Sequence, residues 1–157
     1  MKKFFQLILA ILICQSAGLI GSVFTAPAIP TWYATLVKPA FNPPGWLFGP
    51  VWLTLYALMG ISLYLIWQSR RSHPLATWTV ILFIIHLFFN AIWSVIFFGY
   101  HQIFLALIDI AILWLMIVIL IGLFWRIKKS AAYLMLPYLA WVSFALILNF
   151  SLWRLNS

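Results

Sequence analysis

The chain alternates long runs of apolar residues with short polar or proline-rich breaks. An α-helix needs about 20 residues to cross the hydrocarbon core of a bilayer. Pro27 and Pro30 end the first run, prolines or charges bound the others, and the polar stretch 99–102 divides the apolar region between Arg71 and Arg126. The pattern predicts five membrane-spanning helices, at about 4–25, 46–68, 75–98, 102–125 and 131–153.

Continuous apolar runs favour an all-α integral membrane protein over a transmembrane β-barrel, whose strands alternate apolar and polar residues. Composition agrees, because 67% of the residues are hydrophobic and only 6% are charged, against about 25% charged in an average globular domain. Such a chain cannot cover a water-soluble core with polar side chains. We predict one five-helix transmembrane domain over residues 1–157, packed as a bundle because most loops are short.

The net charge of +8 raises the alternative of nucleic-acid binding. The cations, however, flank the apolar runs, where Lys and Arg set membrane topology. With five spans, one side of the membrane carries Lys2, Lys3, Arg70, Arg71, Arg126, Lys128 and Lys129, and the other carries Lys38 and Arg154. We therefore expect no nucleic-acid partner and a multi-pass membrane protein with a cytoplasmic amino terminus.

The first run has an alternative interpretation as a secretory signal peptide, because Lys2-Lys3 precedes it and Ala26-Pro27-Ala28 follows it. The apolar part of a signal peptide usually has about 7–15 residues, whereas this run has about 22. We interpret it as a retained span. A single cysteine, Cys14, excludes a disulfide framework. The three histidines lie at different depths, so we expect neither a metal site nor a cofactor.

Polar side chains inside a membrane bundle are costly, and they often mark functional sites. At about 1.5 Å per residue, Trp52, Asn90, Asp109 and Asn149 fall in the same half of the bilayer, which the long loop 26–46 also caps. Two interpretations remain open at this point. The polar residues either bond neighbouring helices together, or they line a cavity beneath the loop.

Helical spacing brings polar and aromatic residues onto common faces. The third span carries one such stripe, formed by His86, Asn90, Trp93, Ser94 and Phe97. The fifth span carries another, formed by Pro137, Trp141, Ala145 and Asn149. Among the ten tryptophans, Trp52, Trp93 and Trp141 lie deeper than those at helix ends. Aromatic walls with few polar contacts suit a large, flat, apolar ligand, and helix packing is the alternative role.

The loop 26–46 is the most distinctive segment, because loops of this length in a compact protein are often lids or binding loops. Its Trp32-Tyr33, Lys38-Pro39 and Pro43-Pro44 pieces are followed by Pro50-Val51-Trp52-Leu53-Thr54-Leu55-Tyr56. Further along come Asn90-Ala91-Ile92-Trp93-Ser94 and Leu136-Pro137-Tyr138-Leu139-Ala140-Trp141. In this order and spacing the pieces resemble the translocator protein family, also called tryptophan-rich sensory proteins, over nearly the whole chain.

The resemblance implies a five-helix bundle, usually a homodimer, with a ligand pocket below the first loop. Family ligands are tetrapyrroles such as protoporphyrin IX, benzodiazepine- and isoquinoline-type drugs and, in eukaryotic members, sterols. Matching positions imply that the pocket is lined by Tyr33, Trp52, Asn90, Trp93, Ser94, Trp141 and Ala145. From the loop and the depth of the polar residues, we add Trp32, Lys38, Asp109 and Asn149 to the predicted ligand-binding residues.

The resemblance leaves three functions open. The first is a membrane receptor or sensor for tetrapyrroles. The second is a light- and oxygen-dependent porphyrin-degrading enzyme, in which Trp52 and Trp141 would be the catalytic residues. The third is a transporter of tetrapyrroles or sterols. Phe150 stands where the cholesterol motif of animal members has a tyrosine, which favours a bacterial-type member in a bacterial cell membrane.

The expected partners are a tetrapyrrole, membrane lipid and a second copy of the chain. The segment Ala17-Gly18-Leu19-Ile20-Gly21-Ser22 offers small residues at helical spacing on the first span. Small residues at this spacing let two membrane helices approach closely. They support a homodimer if they face outward, and they serve packing within the bundle if they face inward.

Overall fold

The computed structural model describes residues 1–157, and its regular secondary structure is entirely helical, with no strands. Its five long helices are α1 (Lys2–Ala28), α3 (Gly45–Gln68), α4 (Ala76–Ser94), α5 (Ile103–Ile127) and α6 (Lys129–Asn156), and α2 (Trp32–Thr35) is a single turn between α1 and α3. A 3₁₀ turn, Ser69–Arg71, follows α3, and a π-helical turn, Val95–Gly99, follows α4. Each of the five is long and apolar enough to cross a membrane, which confirms the predicted fold class.

The five long helices close into a ring. Helix α1 packs against α3 and α4, helix α6 packs against α3 and α5, and α4 packs against α5. The order around the ring is therefore α1, α3, α6, α5, α4. Successive long helices run in opposite directions, so the loop between α1 and α3 lies at the same end as the start of α5 and the end of α6.

The main difference from the predicted helix ends is at α1. We expected Pro27 to end this helix near Thr25, but the helix continues through Pro27 to Ala28. A proline in the last turn removes few helical hydrogen bonds, and the Ile29 N–H still bonds to the Thr25 carbonyl at 3.1 Å. The connection to α3 is accordingly shorter than the predicted loop and holds α2.

The end of the bundle opposite this connection is tightly packed. Met59, Ile66 and Phe124 are completely buried there, and the rings of Phe83 and Phe124 stack with centroids 6.1 Å apart. The side chains of this half form the larger part of the hydrophobic core.

Candidate functional site

A cavity of about 500 Å³ lies between the five long helices, beneath the connection from α1 to α3. We call it the bundle cavity. Its volume falls within the range of small-molecule sites, roughly 300–1,000 Å³. Every long helix supplies part of the wall, and most of the lining side chains are apolar. The packing of the ring therefore creates a site that can enclose an apolar ligand.

Tyr33 of α2 forms part of the cavity roof. It is buried, its O–H donates a 2.6 Å hydrogen bond to Oδ1 of Asn42, and its ring lies 5.8 Å from that of Phe98. Burial raises the pKa of Tyr33 to about 12, although the bond to Asn42 opposes this shift. Tyr33 is therefore a neutral hydrogen-bond donor at physiological pH.

Two further contacts hold the roof on the bundle. The backbone N–H of Val37 donates to Oδ1 of Asn156 at 2.9 Å, and Nδ2 of Asn156 donates to the Val37 carbonyl at 2.9 Å. The indole of Trp32 stacks on His101, with ring centroids 4.2 Å apart and planes 13° apart. His101 has a φ of 56°, so it occupies the left-handed region just after the π-helical turn.

Three deep tryptophans, Trp52, Trp93 and Trp141, line the bundle cavity. Trp52 stacks on Tyr56 with centroids 5.4 Å apart, and Trp93 stacks on Phe97 at 5.0 Å. The π-helical turn places Phe97 between Trp93 and the roof, where it is almost fully buried. Such turns often occur at functional sites.

The indole N–H groups of these tryptophans differ in their partners. Trp93 Nε1 donates to Oδ1 of Asn149 at 3.1 Å, whereas Trp141 Nε1 is buried and has no hydrogen-bond partner. A buried donor without a partner costs free energy. The Trp141 N–H is covered by neighbouring protein atoms, so Trp141 lines the cavity with other atoms of its side chain.

Four polar side chains form a connected network at the floor. The Tyr56 O–H donates to Oδ1 of Asn90 at 2.5 Å, and Asn90 Nδ2 donates to the Tyr138 hydroxyl at 2.9 Å. Nε2 of His86 lies 2.9 Å from the same hydroxyl. Tyr56 and Asn90 line the cavity, whereas Tyr138 and His86 lie behind them. No group of three or more His, Cys, Asp or Glu side chains is placed to hold a metal.

Eight of the eleven predicted ligand-binding residues line the bundle cavity: Tyr33, Trp52, Asn90, Trp93, Ser94, Trp141, Ala145 and Asn149. They include both tryptophans that we predicted as catalytic. The structure thus brings together residues that lie more than one hundred positions apart in the chain.

The other three predicted residues do not line the cavity. Trp32 packs on the outer side of the roof against His101. Lys38 Nζ donates to the carbonyls of Ala34 and Leu36 at 3.2 and 3.1 Å. Asp109 is buried in α5, but the lining position is its neighbour Ile110, because successive helical residues point about 100° apart.

Sequence reasoning missed the contribution of α1. Gly18 and Gly21 line the cavity, and a Cβ added at either position would meet the ring of Tyr56 or the side chain of Ser94, respectively. Gly18 and Gly21 therefore pack against other helices of the same chain. The regular spacing of small residues along α1 could have indicated a packing face, but spacing alone does not show whether that face is turned into the bundle or toward lipid.

Several lining residues on the outer halves of α1 and α3 are exposed, from which we infer that the cavity opens between these two helices. Three residues on its rim, Leu19, Trp46 and Leu53, are 68%, 73% and 63% exposed. The opening ends where Gln15 Nε2 donates to the Leu53 carbonyl at 3.0 Å. Because α1 and α3 are both long and apolar enough to cross a membrane, an opening between them would face lipid.

Comparison with known proteins agrees with this architecture. Residues 10–154 match the model of the TspO/MBR family. The chain is 42% identical over 155 residues to tryptophan-rich protein TspO of Chlorobaculum tepidum, a match that covers 99% of this chain and 98% of that protein. It is 41% identical over 155 residues to tryptophan-rich protein TspO of Archaeoglobus fulgidus, with 97% of each covered. It is 37% identical over 143 residues to the translocator protein of Homo sapiens, with 87% and 82% covered.

Proposed function

This chain belongs to the TspO/MBR family and is a multi-pass membrane protein, and we propose that it is a membrane receptor or sensor for a tetrapyrrole such as protoporphyrin IX. The observation that carries the proposal is the bundle cavity, whose wall includes Trp52, Trp93 and Trp141. Indole faces suit a flat, conjugated ligand. The same surfaces suit aromatic drugs of the benzodiazepine and isoquinoline types.

A tetrapyrrole also carries acidic side chains, which need partners at the edge of an apolar site. Lys38 and Arg154 are the only Lys or Arg residues at the roof end of the bundle. The Lys38 ammonium lies 5.0 Å from the centre of the Tyr33 ring, and Tyr33 lines the cavity. A small movement of the flexible Lys38 side chain would bring its charge to a carboxylate held below the roof.

Titration of the purified protein with protoporphyrin IX tests this proposal. Binding is followed by quenching of tryptophan fluorescence and by the absorbance of the porphyrin itself. We expect Trp52→Ala and Asn90→Ala to weaken binding about tenfold, because each removes a wall or floor contact. Trp78→Ala is the matched control, since Trp78 is 72% exposed and does not line the cavity. Unchanged affinity in both cavity variants would contradict the proposed site.

A second candidate function is light-dependent oxidation of the bound porphyrin. It is favoured by one observation, that Trp52 and Trp141 line the same cavity. In this reaction the light-excited macrocycle takes one electron from an indole and passes it to dioxygen, which becomes superoxide. The oxidised indole then recovers an electron from the macrocycle, and superoxide adds to the resulting macrocycle cation radical. Illumination of the complex, with the porphyrin absorbance recorded over time, tests it. Bleaching of the Trp52→Phe/Trp141→Phe double variant at the wild-type rate would rule out a role for these residues.

Transport of tetrapyrroles or sterols stays an alternative, and it predicts flux into sealed liposomes. Binding without flux would reject it. We propose a cytoplasmic amino terminus, because one end of the bundle carries seven of the nine Lys and Arg residues, and a bacterial cell membrane, because Phe150 replaces the tyrosine of the animal cholesterol motif. Reporter fusions at the two termini test this orientation.

A homodimer also stays a proposal. Gly18 and Gly21 pack inside the protomer, so the contact with a second copy would lie at other residues. Crosslinking in bilayers tests the proposal, and recovery of monomer alone would contradict it.

A further inference from the structure

His86 is completely buried in the middle of the bundle and does not line the cavity. Hydrogen bonds nevertheless connect it to the cavity floor through Tyr138, Asn90 and Tyr56, in that order. The receptor function proposed above uses Asn90 and Tyr56 but gives His86 no role. A buried imidazole that is hydrogen-bonded to a binding surface in this way can set the orientation of polar groups on that surface without touching the ligand.

One backbone carbonyl sets the direction of every bond in the network. His86 Nδ1 lies 3.2 Å from the Phe83 carbonyl, which can only accept, so Nδ1 carries the proton and Nε2 of the neutral ring is an acceptor. The Tyr138 hydroxyl must then donate to Nε2 and accept from Asn90. Asn90 consequently turns its amide nitrogen toward Tyr138 and its oxygen toward Tyr56, whose O–H donates to it.

We propose that His86 is a positioning residue, which acts through Tyr138 to hold the Asn90 amide in one of its two orientations. In this orientation the O–H of Tyr56 is occupied, so the floor keeps one free N–H on Asn90 and lone pairs on the oxygens of Asn90 and Tyr56. In the reverse orientation Asn90 would donate to Tyr56, and the Tyr56 O–H would be free to donate to a ligand.

This arrangement defines what the floor can recognise. It favours a ligand whose edge carries a hydrogen-bond donor beside an acceptor, and it disfavours an edge that has acceptors alone. A mismatch would leave a buried polar group unpaired, which is the main source of discrimination at such sites. The inference about the ligand rests on the proposed receptor function, whereas the inference about Asn90 concerns the protein alone.

The orientation of Asn90 is testable without a ligand by NMR of protein labelled with ¹⁵N at asparagine. The chain has four asparagines, Asn42, Asn90, Asn149 and Asn156, so their side-chain amides give few signals, and Asn90→Ala identifies one of them. We expect His86→Leu to shift the Asn90 signal selectively. His86→Gln, which retains an acceptor, should restore it.

The other three asparagine signals report whether a variant is folded, because they lie in the roof and on α6. Tyr138→Phe tests the next step of the relay, from Tyr138 to Asn90, since it removes only the hydroxyl. An unchanged Asn90 signal in a folded His86→Leu or Tyr138→Phe variant would overturn the proposal. A merely structural role of His86 would not move the Asn90 signal alone.

Titration with protoporphyrin IX then tests the effect on binding. We expect His86→Leu and Tyr138→Phe each to weaken binding about fivefold, the size of one lost hydrogen bond. Because His86 acts through Tyr138, the double variant should bind no more weakly than Tyr138→Phe alone. Additive weakening would contradict the relay. Failure of the wild-type protein to bind protoporphyrin IX would contradict the receptor function instead, while the NMR result would still decide the role of His86.

Discussion

The indole N–H of Trp93 on α4 donates a 3.1 Å hydrogen bond to Oδ1 of Asn149 on α6. Nδ2 of Asn149 in turn donates to the Ile103 carbonyl at the start of α5, at 3.0 Å. One buried amide thus joins three helices beside the bundle cavity, and it holds a wall tryptophan in place. Asn149 therefore has both of the roles that the sequence left open for buried polar residues. It bonds helices together, and it lines the cavity.

We expect Asn149→Leu to lower the free energy of unfolding by about 1 kcal/mol, because it removes both hydrogen bonds and leaves the Trp93 N–H unpaired. Ser151→Ala is the matched control on the same helix, since the Ser151 hydroxyl bonds only to the Ile147 carbonyl of α6 itself. Denaturant unfolding in detergent micelles measures both. Equal stability of the two variants would show that the three-helix junction contributes nothing.

Gly60 lies where the backbones of α1 and α3 approach closely. A Cβ added there would lie 2.5 Å from Cα of Ile11, so the backbones themselves must separate to admit it. We expect Gly60→Ala to destabilise the bundle by about 1–3 kcal/mol. Gly122→Ala is the control, because a Cβ at that position meets nothing within 4 Å. Alanine also has the higher helix propensity, so this variant should be neutral or slightly stabilised. Thermal unfolding compares them, and similar shifts in midpoint would contradict the tight α1–α3 contact.

The opening between α1 and α3 predicts that a ligand enters from the bilayer. Ala26 lies on the cavity lining, and we expect Ala26→Trp to slow association of protoporphyrin IX several-fold by narrowing the opening. Ile20→Trp is the control, because Ile20 is 53% exposed on the same helix and does not line the cavity. Stopped-flow fluorescence in liposomes measures the association rate. Equal rates for the two variants would place the entrance elsewhere.

The raised pKa of Tyr33 predicts that the folded protein loses stability at high pH. This pKa rises from 10.0 to about 12 in the folded protein, so above pH 10 the folded state binds more protons than the unfolded state. Stability therefore falls as the pH rises from about 10 to about 12. We expect Tyr33→Phe to show a smaller fall over the same interval, because it has no proton to lose there. Denaturant unfolding at several pH values measures the difference, and identical pH profiles would contradict it.

The helices and their order along the chain could be predicted from the sequence because the requirement for each is local. A helix that crosses a membrane must be apolar over its whole length, and its ends must reach water. Hence the charges of Lys2 and Arg71 locate helix ends, and no information about the packing of neighbouring helices is needed. Pro27 was the exception, since a proline near the end of a helix can lie inside the last turn as well as after it.

Depth along a helix could also be predicted, and it placed Asn90, Asn149 and the deep tryptophans in the half of the bundle that holds the cavity. The rotation of each helix about its own axis, which decides which residues face the cavity, was harder to predict. Asp109 has the correct depth, but its neighbour Ile110 is the lining residue. A single polar residue in an apolar helix does not define which face is turned inward, because the packing of all five helices decides it.

The sequence by itself determined an all-helical membrane protein with five spans, a family and most of the aromatic wall, because these follow from local hydropathy and from motifs. Only the tertiary structure decided that Gly18 and Gly21 line the cavity, that Lys38 bonds within the roof, and that His86 connects to Asn90 through Tyr138. Those relationships depend on distances between helices that lie far apart in the chain, and no local pattern encodes such distances.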